Sequence, residues 1–349
     1  MVFRALQFNR ETALTWRPHL GVDSGGSVKV VSTFMRRRIL CILSVLLASG
    51  LGIFALYARD LANARARLVG RSLTMATSFG TLEYAQIGKG EPILVVHGAA
   101  GGFDQALDMA GPLAEHGFRL IAPSRFGYLR SSLPTNLRTA MQADAYVELL
   151  NHLGIAKVDV VSISAGAWSA MQLAIRHPER VRALVLLVPA DYLPPGTTIH
   201  GGALVRAMIN SDFVAWAALK LMPVLPGSMT RMMLGTDPAV VRAANRDEKA
   251  RVRQVLDHLL PVGPRVAGMN FDVATAAARE PYAIEKIGCP VLAISAEDDR
   301  FGTARRARLI ASTVVQGRLV VFPTGGHALV GRMADTVREG VAFLHAGRE

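Results

Sequence analysis

The sequence predicts an α/β fold: a doubly wound, mostly parallel sheet with a helical cap insertion, preceded by an N-terminal transmembrane helix. From about residue 72 onward, short apolar runs alternate with amphipathic helical stretches, which is typical of a parallel sheet covered by helices on both faces. This alternation stops between residues 191 and 282, where only helical patterns occur. Near the N-terminus, residues 39–58 form a run of 20 residues without a charge.

These observations divide the chain into segments. We expect a disordered, basic N-terminal segment over residues 1–38 and a transmembrane anchor over residues 39–58. The two halves of the α/β core are predicted at residues 72–190 and 283–349, and the helical cap at residues 191–282.

Composition excludes several functional classes. Hydrophobic residues make up 51% of the chain and charged residues 19%, which excludes a disordered chain. The two cysteines, Cys41 and Cys289, are too few for a disulfide framework or a Cys-based zinc module. The net charge is +12, and residues 1–71 contribute eleven Lys or Arg against three acids. Because this excess surrounds an apolar run, it indicates membrane topology, and we expect no nucleic-acid partner.

The apolar run, ILCILSVLLASGLGIFALYA, is long enough to cross a bilayer, since 1.5 Å per residue gives a length of about 30 Å. Its nearest small-residue cleavage site, Ala62-Asn63-Ala64, lies in a charged, helix-favouring stretch. We therefore expect an uncleaved single-pass anchor with the lipid bilayer as a partner, and a cleaved signal peptide is the alternative. Arg36, Arg37 and Arg38 before the run favour a cytoplasmic N-terminus and a main domain outside the cytoplasm.

The first 34 residues show no periodicity and contain the flexible stretch GVDSGGS. We expect them to be disordered. A further hypothesis is that they do not belong to the natural product and that translation begins at Met35, directly before the Arg triplet.

The predicted strands follow one another along the core. Leu82–Ile87 alternates like an edge strand, and most later strands are continuous apolar runs, as expected for strands buried on both faces. These later strands are Pro92–Val96, Leu120–Pro123, Val158–Ser162, Val181–Val188, Val291–Ser295 and Leu319–Phe322. Helical spacing predicts Asn136–Leu153 and Asp335–Ala346 in the core, and Ala203–Asn210, Phe213–Leu221 and Asp247–Leu260 in the cap. We expect the cap to fold over the C-terminal edge of the sheet.

The strongest chemical signal lies after Val158–Ser162. The apolar strand runs through Ser162-Ile163-Ser164-Ala165-Gly166 directly into a helix, which is the strand–turn–helix context of a nucleophile elbow. Ser164 would stand at its apex with an exposed hydroxyl. Gly166 meets the need for small residues, whereas Ser162 stands where glycine is usual. The alternative interpretation is a serine that only caps the helix.

A second loop of small residues, His97-Gly98-Ala99-Ala100-Gly101-Gly102, follows the strand Pro92–Val96. Small residues allow a backbone N–H to approach a developing oxyanion. The N–H groups of Ala99 and Ala165 would form such a pair of donors. We expect His97, at the strand end, to orient the loop rather than to carry a proton.

A catalytic serine needs a base and an acid that orients the base. His327 follows the last strand between small residues that suit a tight loop. The acid comes from Glu297-Asp298-Asp299 after the strand Val291–Ser295. The order Ser164, Asp299, His327 is the one expected for this architecture.

Together these segments resemble the α/β-hydrolase superfamily. The resemblance covers residues 80–190 and 283–349 and depends on LVVHGAAGG, SRFGYLRSS, SISAG with AIRHPERV, VLAISAEDD and the final GGH. It implies that Ser164 is the nucleophile, His327 the general base and Asp299 the acid, with an acyl-enzyme intermediate and no cofactor or metal. The family pattern places the acid three residues after Ala296, at Asp299, and Asp298 and Asp191 are the alternatives. A serine at the apex excludes branches that need an aspartate nucleophile.

We therefore predict a membrane-anchored serine hydrolase that cleaves carboxylic esters of apolar or medium-chain substrates. The cap is rich in large, soft side chains: Met208, Phe213, Trp216, Leu219, Leu221, Met222, Met232, Met233 and Leu234. Such side chains suit an apolar pocket, although most would also serve as the core of the cap. An acyltransferase, a cofactor-free haloperoxidase-like enzyme and a catalytically silent binding scaffold are the alternatives. The sequence makes no prediction of the oligomeric state.

Overall fold

The computed structural model describes residues 27–192, 202–222, 224, 226–278 and 283–347. The predicted disorder of residues 1–26 lies outside this part of the chain. The chain divides into two compact units, Met1–Leu56 and Tyr57–Glu349.

The N-terminal apolar run lies within one long helix, α1 (Ser27–Ala66). Residues 27–38, which we expected to be disordered, are helical. No Gly or Pro interrupts them, and a helix already nucleated by the apolar run extends cooperatively into such a stretch. Within the described residues, one helix segment, Phe34–Ala66, is long and apolar enough to cross a membrane, and it also fits a signal sequence.

The sheet has eight strands in the order β1-β2-β4-β3-β5-β6-β7-β8. The strands are β1 (Leu73–Thr77), β2 (Gly80–Ile87), β3 (Glu91–Val96), β4 (Phe118–Pro123), β5 (Val158–Ile163), β6 (Val181–Leu187), β7 (Val291–Ala296) and β8 (Gly317–Phe322). Strand β2 pairs antiparallel with β1 and β4, and the pairs from β4 to β8 are parallel. The predicted doubly wound, mostly parallel sheet is confirmed.

One expectation about the sheet is wrong. We predicted Leu82–Ile87 as an edge strand, but β1 pairs outside it, so β2 is an inner strand. Strand β1, LTMAT, is short and largely exposed, and its sequence therefore lacks the apolar pattern that identifies the other strands.

Helices cover both faces of the sheet. The core helices are α2 (Phe103–Ala110), α3 (Thr139–His152), α4 (Gly166–Arg176), α11 (Thr303–Thr313) and α12 (Met333–Ala346). Side chains of β3 alternate between the two layers: Leu94 and Val96 pack in one core cluster, and Ile93 and Val95 pack in the other. This alternation buries β3 on both faces and explains its continuous apolar sequence.

The cap lies between β6 and β7, as expected from the gap in the strand pattern. Its described helices are α5 (Gly202–Asn210), α6 (Asp212–Leu221), α7 (Pro226–Leu234), α8 (Pro238–Ala243), α9 (Arg246–Asp257) and α10 (Val266–Ala278). Trp216, Leu219 and Leu234 are buried in a cluster that also includes Tyr128 and Val330 of the core, whereas Phe213 and Leu221 are about half exposed. Several of the large side chains that we assigned to a pocket thus stabilise the cap and its contact with the core.

The end of α1 is part of the second unit. Leu61 and Ala64 are buried, and the Tyr57 ring packs edge-on against the Trp216 ring at 5.6 Å between centroids. Asp60 accepts a hydrogen bond from Trp216 Nε1 at 3.1 Å and pairs with Lys220 at 2.7 Å. The unit that carries the sheet therefore begins at Tyr57 rather than at the predicted residue 72.

Candidate active site

Ser164 lies at the tight turn between β5 and α4. Its φ of 49° is in the left-handed region, which costs a non-glycine residue about 1–3 kcal/mol. Hydrogen bonds hold the turn in place: the Ser164 N–H donates to the Leu187 carbonyl at 2.9 Å, and the Ser164 carbonyl accepts from the N–H groups of Ala167 and Ala190. A Cβ at Gly166 would lie 2.6 Å from the carbonyl oxygens of Val96 and His97, so this position requires glycine.

Ser162, the departure from the usual elbow pattern, fits without a clash. It is fully buried and pairs with Val96 and Leu186 on the neighbouring strands. Its hydroxyl has no hydrogen-bond partner among the described residues. A fully buried hydroxyl cannot reach a substrate, so Ser164 is the serine of this turn that is accessible.

His327 reaches Ser164 from the loop after β8. Its Nε2 lies 3.0 Å from Ser164 Oγ, and its Nδ1 lies 2.8 Å from Asp299 Oδ2. The structure thus brings together the three residues that the sequence singled out, although the first and last are 163 positions apart. A Cβ at Gly326 would lie 2.2 Å from Thr236 Oγ1 of the cap, so the cap is in close contact with this loop.

The three candidate acids have different partners. Asp299 contacts His327, whereas Asp298 Oδ1 accepts the Gly326 N–H at 2.8 Å and so holds the histidine loop. Asp191 pairs with Arg305 and Arg306. The adjacent residues Asp298 and Asp299 therefore bind different groups of the histidine loop.

The pKa of Asp299 is lowered. Burial by itself raises this pKa, but the His327 ring and hydrogen bonds from the Thr303 hydroxyl and the Phe301 N–H outweigh burial. The carboxyl group is therefore ionised at neutral pH. Sequence reasoning missed Thr303, whose only signal is its position at the start of α11, four residues after Asp299.

Residues 97–102, here called the oxyanion loop after the role that the sequence predicts for them, touch the serine turn. A Cβ at Gly98 would lie 3.1 Å from Ser164 Cβ. Gln105 fixes the start of the loop, because its Oε1 accepts the Gly98 N–H at 2.9 Å and its Nε2 donates to the Ala99 carbonyl. In the part of the chain that the structure describes, the N–H groups of Ala99 and Ala165 have no acceptor.

His97 orients the oxyanion loop. Its ring is fully buried, Nδ1 donates to the Gly98 carbonyl at 2.7 Å, and Nε2 accepts the Arg125 N–H at 2.8 Å. Burial, together with the nearby Arg125 charge, lowers the pKa of His97 well below its ordinary value. The ring is therefore neutral, with its two nitrogens occupied by backbone groups.

Two buried Arg–Asp pairs connect the core to the cap behind the oxyanion loop. Arg125 of the core donates two hydrogen bonds to Asp272 of α10, at 2.7 and 2.6 Å. Arg265 of the cap donates to both oxygens of Asp104 in α2, at 3.1 and 2.8 Å. Sequence reasoning missed both pairs, because the partners are separated by 147 and 161 positions.

Among the residues with described positions, there is no group of three or more His, Cys, Asp or Glu side chains that could hold a metal ion.

A family model for the alpha/beta hydrolase fold matches residues 91–331. This chain belongs to the α/β-hydrolase family. The match includes Ser164, Asp299 and His327, and it supports a hydrolase.

Several relatives of this chain carry the names of hydrolases or lipases. The "Uncharacterized hydrolase YcgS" of Bacillus subtilis is 42% identical over 36% of this chain, and the match spans only 44% of that relative. A "2-hydroxy-6-oxo-6-(2'-aminophenyl)hexa-2,4-dienoic acid hydrolase" of Metapseudomonas resinovorans is 23% identical over 75% of this chain and 86% of the relative. "Lipase 3" of a Moraxella species is 25% identical over 78% of this chain and 84% of the relative.

A solved structure has the same fold. The alpha/beta hydrolase fold protein from Nakamurella multipartita superposes with a TM-score of 0.64 at 26% identity, over 79% of this chain and 99% of that protein. The similarity covers nearly the whole of that protein.

Proposed function

We propose that this hydrolase is a membrane-anchored serine esterase that cleaves carboxylic esters of apolar or medium-chain acids. The proposal depends on one observation, two hydrogen bonds in series. Ser164 Oγ lies 3.0 Å from His327 Nε2, and His327 Nδ1 lies 2.8 Å from Asp299 Oδ2. A serine, a histidine and an ionised aspartate in this order form the arrangement that activates a hydroxyl as a nucleophile.

In the proposed mechanism, His327 Nε2 accepts the Ser164 hydroxyl proton as Ser164 Oγ attacks the ester carbonyl carbon. The N–H groups of Ala99 and Ala165 stabilise the resulting oxyanion. The bond to the alkoxy oxygen then breaks, His327 returns the proton to the leaving alcohol, and the acyl group remains on Ser164. A water molecule, deprotonated by His327, then attacks the acyl carbon. The bond from this carbon to Ser164 Oγ breaks, His327 returns the proton to Ser164 Oγ, and the acid is released.

Asp299 orients the ring and stabilises the imidazolium that forms. It holds the proton on Nδ1, so that Nε2 is free to accept. The lowered pKa of Asp299 supports this role, because the carboxylate remains the charged partner throughout the cycle.

The groups around His327 favour an apolar substrate. Phe301 packs edge-on against the His327 ring at 4.8 Å between centroids, and it is half exposed. The cationic groups behind the oxyanion loop, Arg125 and Arg265, are paired with aspartates, so neither offers its charge to a substrate carboxylate. The name of the Moraxella relative, a lipase, fits this preference.

We expect the rate with p-nitrophenyl esters to rise from acetyl to a medium-chain acyl group and then to fall. Each extra buried methylene contributes up to about 0.8 kcal/mol until the pocket is full. The measurement is kcat/KM across a series of chain lengths, with a dienoic acid related to the Metapseudomonas substrate as a comparison. A maximum at acetyl, or a preference for the dienoic acid, would contradict an apolar ester pocket. Formation of a new ester in the presence of a competing alcohol would indicate an acyltransferase.

We also expect the full chain to remain with membranes. Residues 39–58 carry no charge, and burying them in a bilayer is favourable. Carbonate or high salt should therefore not extract the protein. The matched control is a variant that begins at Tyr57, which should be soluble and active because it keeps Leu61 and Ala64, both buried in the second unit.

A full-length chain that is wholly soluble in a cell lysate would contradict the membrane anchor. A soluble species that begins near Arg65 would instead support a cleaved signal. Arg36, Arg37 and Arg38 favour a cytoplasmic N-terminus, which would put the hydrolase unit outside the cytoplasm. A protease added to intact spheroplasts should accordingly degrade the hydrolase unit.

A further inference from the structure

The oxyanion loop is held from behind by Arg265, a cap residue that lies just before α10. Arg265 is fully buried. Its guanidinium donates to both oxygens of Asp104, to the carbonyl of Gly101 and, through Nε, to the Pro261 carbonyl at 3.0 Å. The same side chain therefore touches the cap, the core and the oxyanion loop.

Arg125 holds the opposite end of the same loop. Its guanidinium donates to the Gly98 carbonyl at 3.0 Å while it pairs with Asp272. The carbonyls of Gly98 and Gly101 lie on either side of Ala99 and Ala100, and Ala100 has a φ of 57°. The backbone that presents the Ala99 N–H is thus fixed between two guanidinium groups, in a conformation that is unfavourable for alanine.

The segment that carries Arg265 is firmly attached to the core. The Gly268 N–H donates to the Gly127 carbonyl at 2.9 Å, and the Leu129 N–H donates to the Pro264 carbonyl at 2.6 Å. A Cβ at Gly268 would lie 2.1 Å from the Tyr128 ring. This part of the cap therefore packs closely against the core, and it provides a rigid support for the oxyanion loop.

We propose that Arg265, paired with Asp104, is a positioning residue that holds the Gly101 carbonyl and thereby directs the Ala99 N–H toward the oxyanion. The inference rests on the esterase function proposed above, and it extends that function from the triad to a cap residue far from it in sequence. A loop that shifts when Arg265 is removed loses transition-state stabilisation, while ground-state binding of an apolar ester changes little.

Arg67 provides a matched control. Its guanidinium also donates to Asp104, at 3.3 Å, and to the Leu260 carbonyl at 2.8 Å. No bond between Arg67 and the oxyanion loop occurs among the described residues. Removing Arg67 disturbs the same carboxylate and the same cap contact, but leaves the bond from Arg265 to Gly101.

The test compares Arg265→Met, the double variant Arg265→Met/Asp104→Leu and Arg67→Met in the full chain. Labelling with a fluorophosphonate gives the fraction of competent sites, and kcat, KM and inhibition by an apolar trifluoromethyl ketone are then measured per site. The ketone adds to the serine as a hemiketal oxyanion and so reports on the loop directly.

We expect both Arg265 variants to lose about 10- to 100-fold in kcat, less than the roughly 10²–10³-fold loss on deleting an oxyanion donor outright. KM should stay within about threefold, and the inhibition constant of the ketone should rise in proportion to the loss in kcat/KM. Arg67→Met should keep kcat within about threefold of the wild type. The double variant removes the charges of Arg265 and Asp104 and leaves Arg67, which is partly exposed and keeps its bond to the Leu260 carbonyl. A thermal midpoint close to that of the wild type would therefore separate positioning from stability.

Wild-type kcat in the double variant would overturn the proposal, as would a lower kcat with an unchanged inhibition constant. If Arg265→Met is insoluble, Arg265→Lys replaces it in the test. A single ammonium group cannot bind Asp104 and the Gly101 carbonyl together as the forked guanidinium does. A wild-type kcat in Arg265→Lys would therefore also overturn the proposal. A wild-type protein that neither labels nor turns over esters would refute the esterase function itself. That result is distinguishable from all the others, because they require a labelled wild type.

Discussion

Replacing Ser164 by alanine is expected to lower kcat about 10⁴- to 10⁶-fold while the fold is retained. The loss is large because no other accessible hydroxyl of this turn lies against His327, and triad residues act as one unit. The left-handed backbone at Ser164 is held by hydrogen bonds of its N–H and carbonyl groups, and alanine keeps both. The thermal midpoint should therefore change little. Steady-state kinetics, circular dichroism and fluorophosphonate labelling measure these effects.

Ser162→Ala is the matched control for Ser164→Ala. The Ser162 hydroxyl is buried without a hydrogen-bond partner among the described residues, so its removal should leave activity and stability near the wild-type values. Labelling that persists in Ser164→Ala would show that another residue is the nucleophile.

The second large effect is expected for Asp299→Asn, which should lower kcat about 10⁴-fold. Asparagine fills the same space, but its amide can hold His327 in the wrong tautomer, and the resulting imidazolium has no anionic partner. Because the pKa of Asp299 lies below its ordinary value, the carboxylate stays ionised through the mildly acidic range. Loss of activity on mild acidification should therefore not come from protonation of Asp299.

Asp298→Asn is the neighbouring control. Asp298 accepts the Gly326 N–H through one oxygen, and the amide oxygen of asparagine can accept the same bond. We expect this variant to keep activity within about tenfold of the wild type, because the loop after β8 retains its support. Comparable activity in Asp299→Asn and the wild type, or a larger loss in Asp298→Asn, would reverse the assignment of the acid.

The elbow and the buried strands could be predicted because their signals are local. A strand buried on both faces must be apolar throughout, which identified β3, β5, β6 and β7. The tight turn after β5 needs a small residue at Gly166, because a side chain there would collide with the backbone of β3 and of the residue after it. The order of Ser164, Asp299 and His327 follows from the order of the strands that end beside them.

The acid was harder to assign from sequence. Asp298 and Asp299 are adjacent, and both follow β7. Only the path of the loop places one carboxylate against His327 and the other against the Gly326 N–H. The family pattern, three residues after Ala296, favoured Asp299, and this is the carboxylate that lies against His327.

Sequence alone therefore determined the sheet, the apolar helix and the serine turn, because each depends on hydrophobic periodicity or on backbone conformation within a few residues. Tertiary structure decided that β1 covers β2, that the end of α1 packs on the cap, and that Arg265 pairs with Asp104 across 161 positions. A buried arginine looks like any surface arginine in the sequence. Its pairing becomes favourable only when folding removes water from both charges and brings a carboxylate within reach.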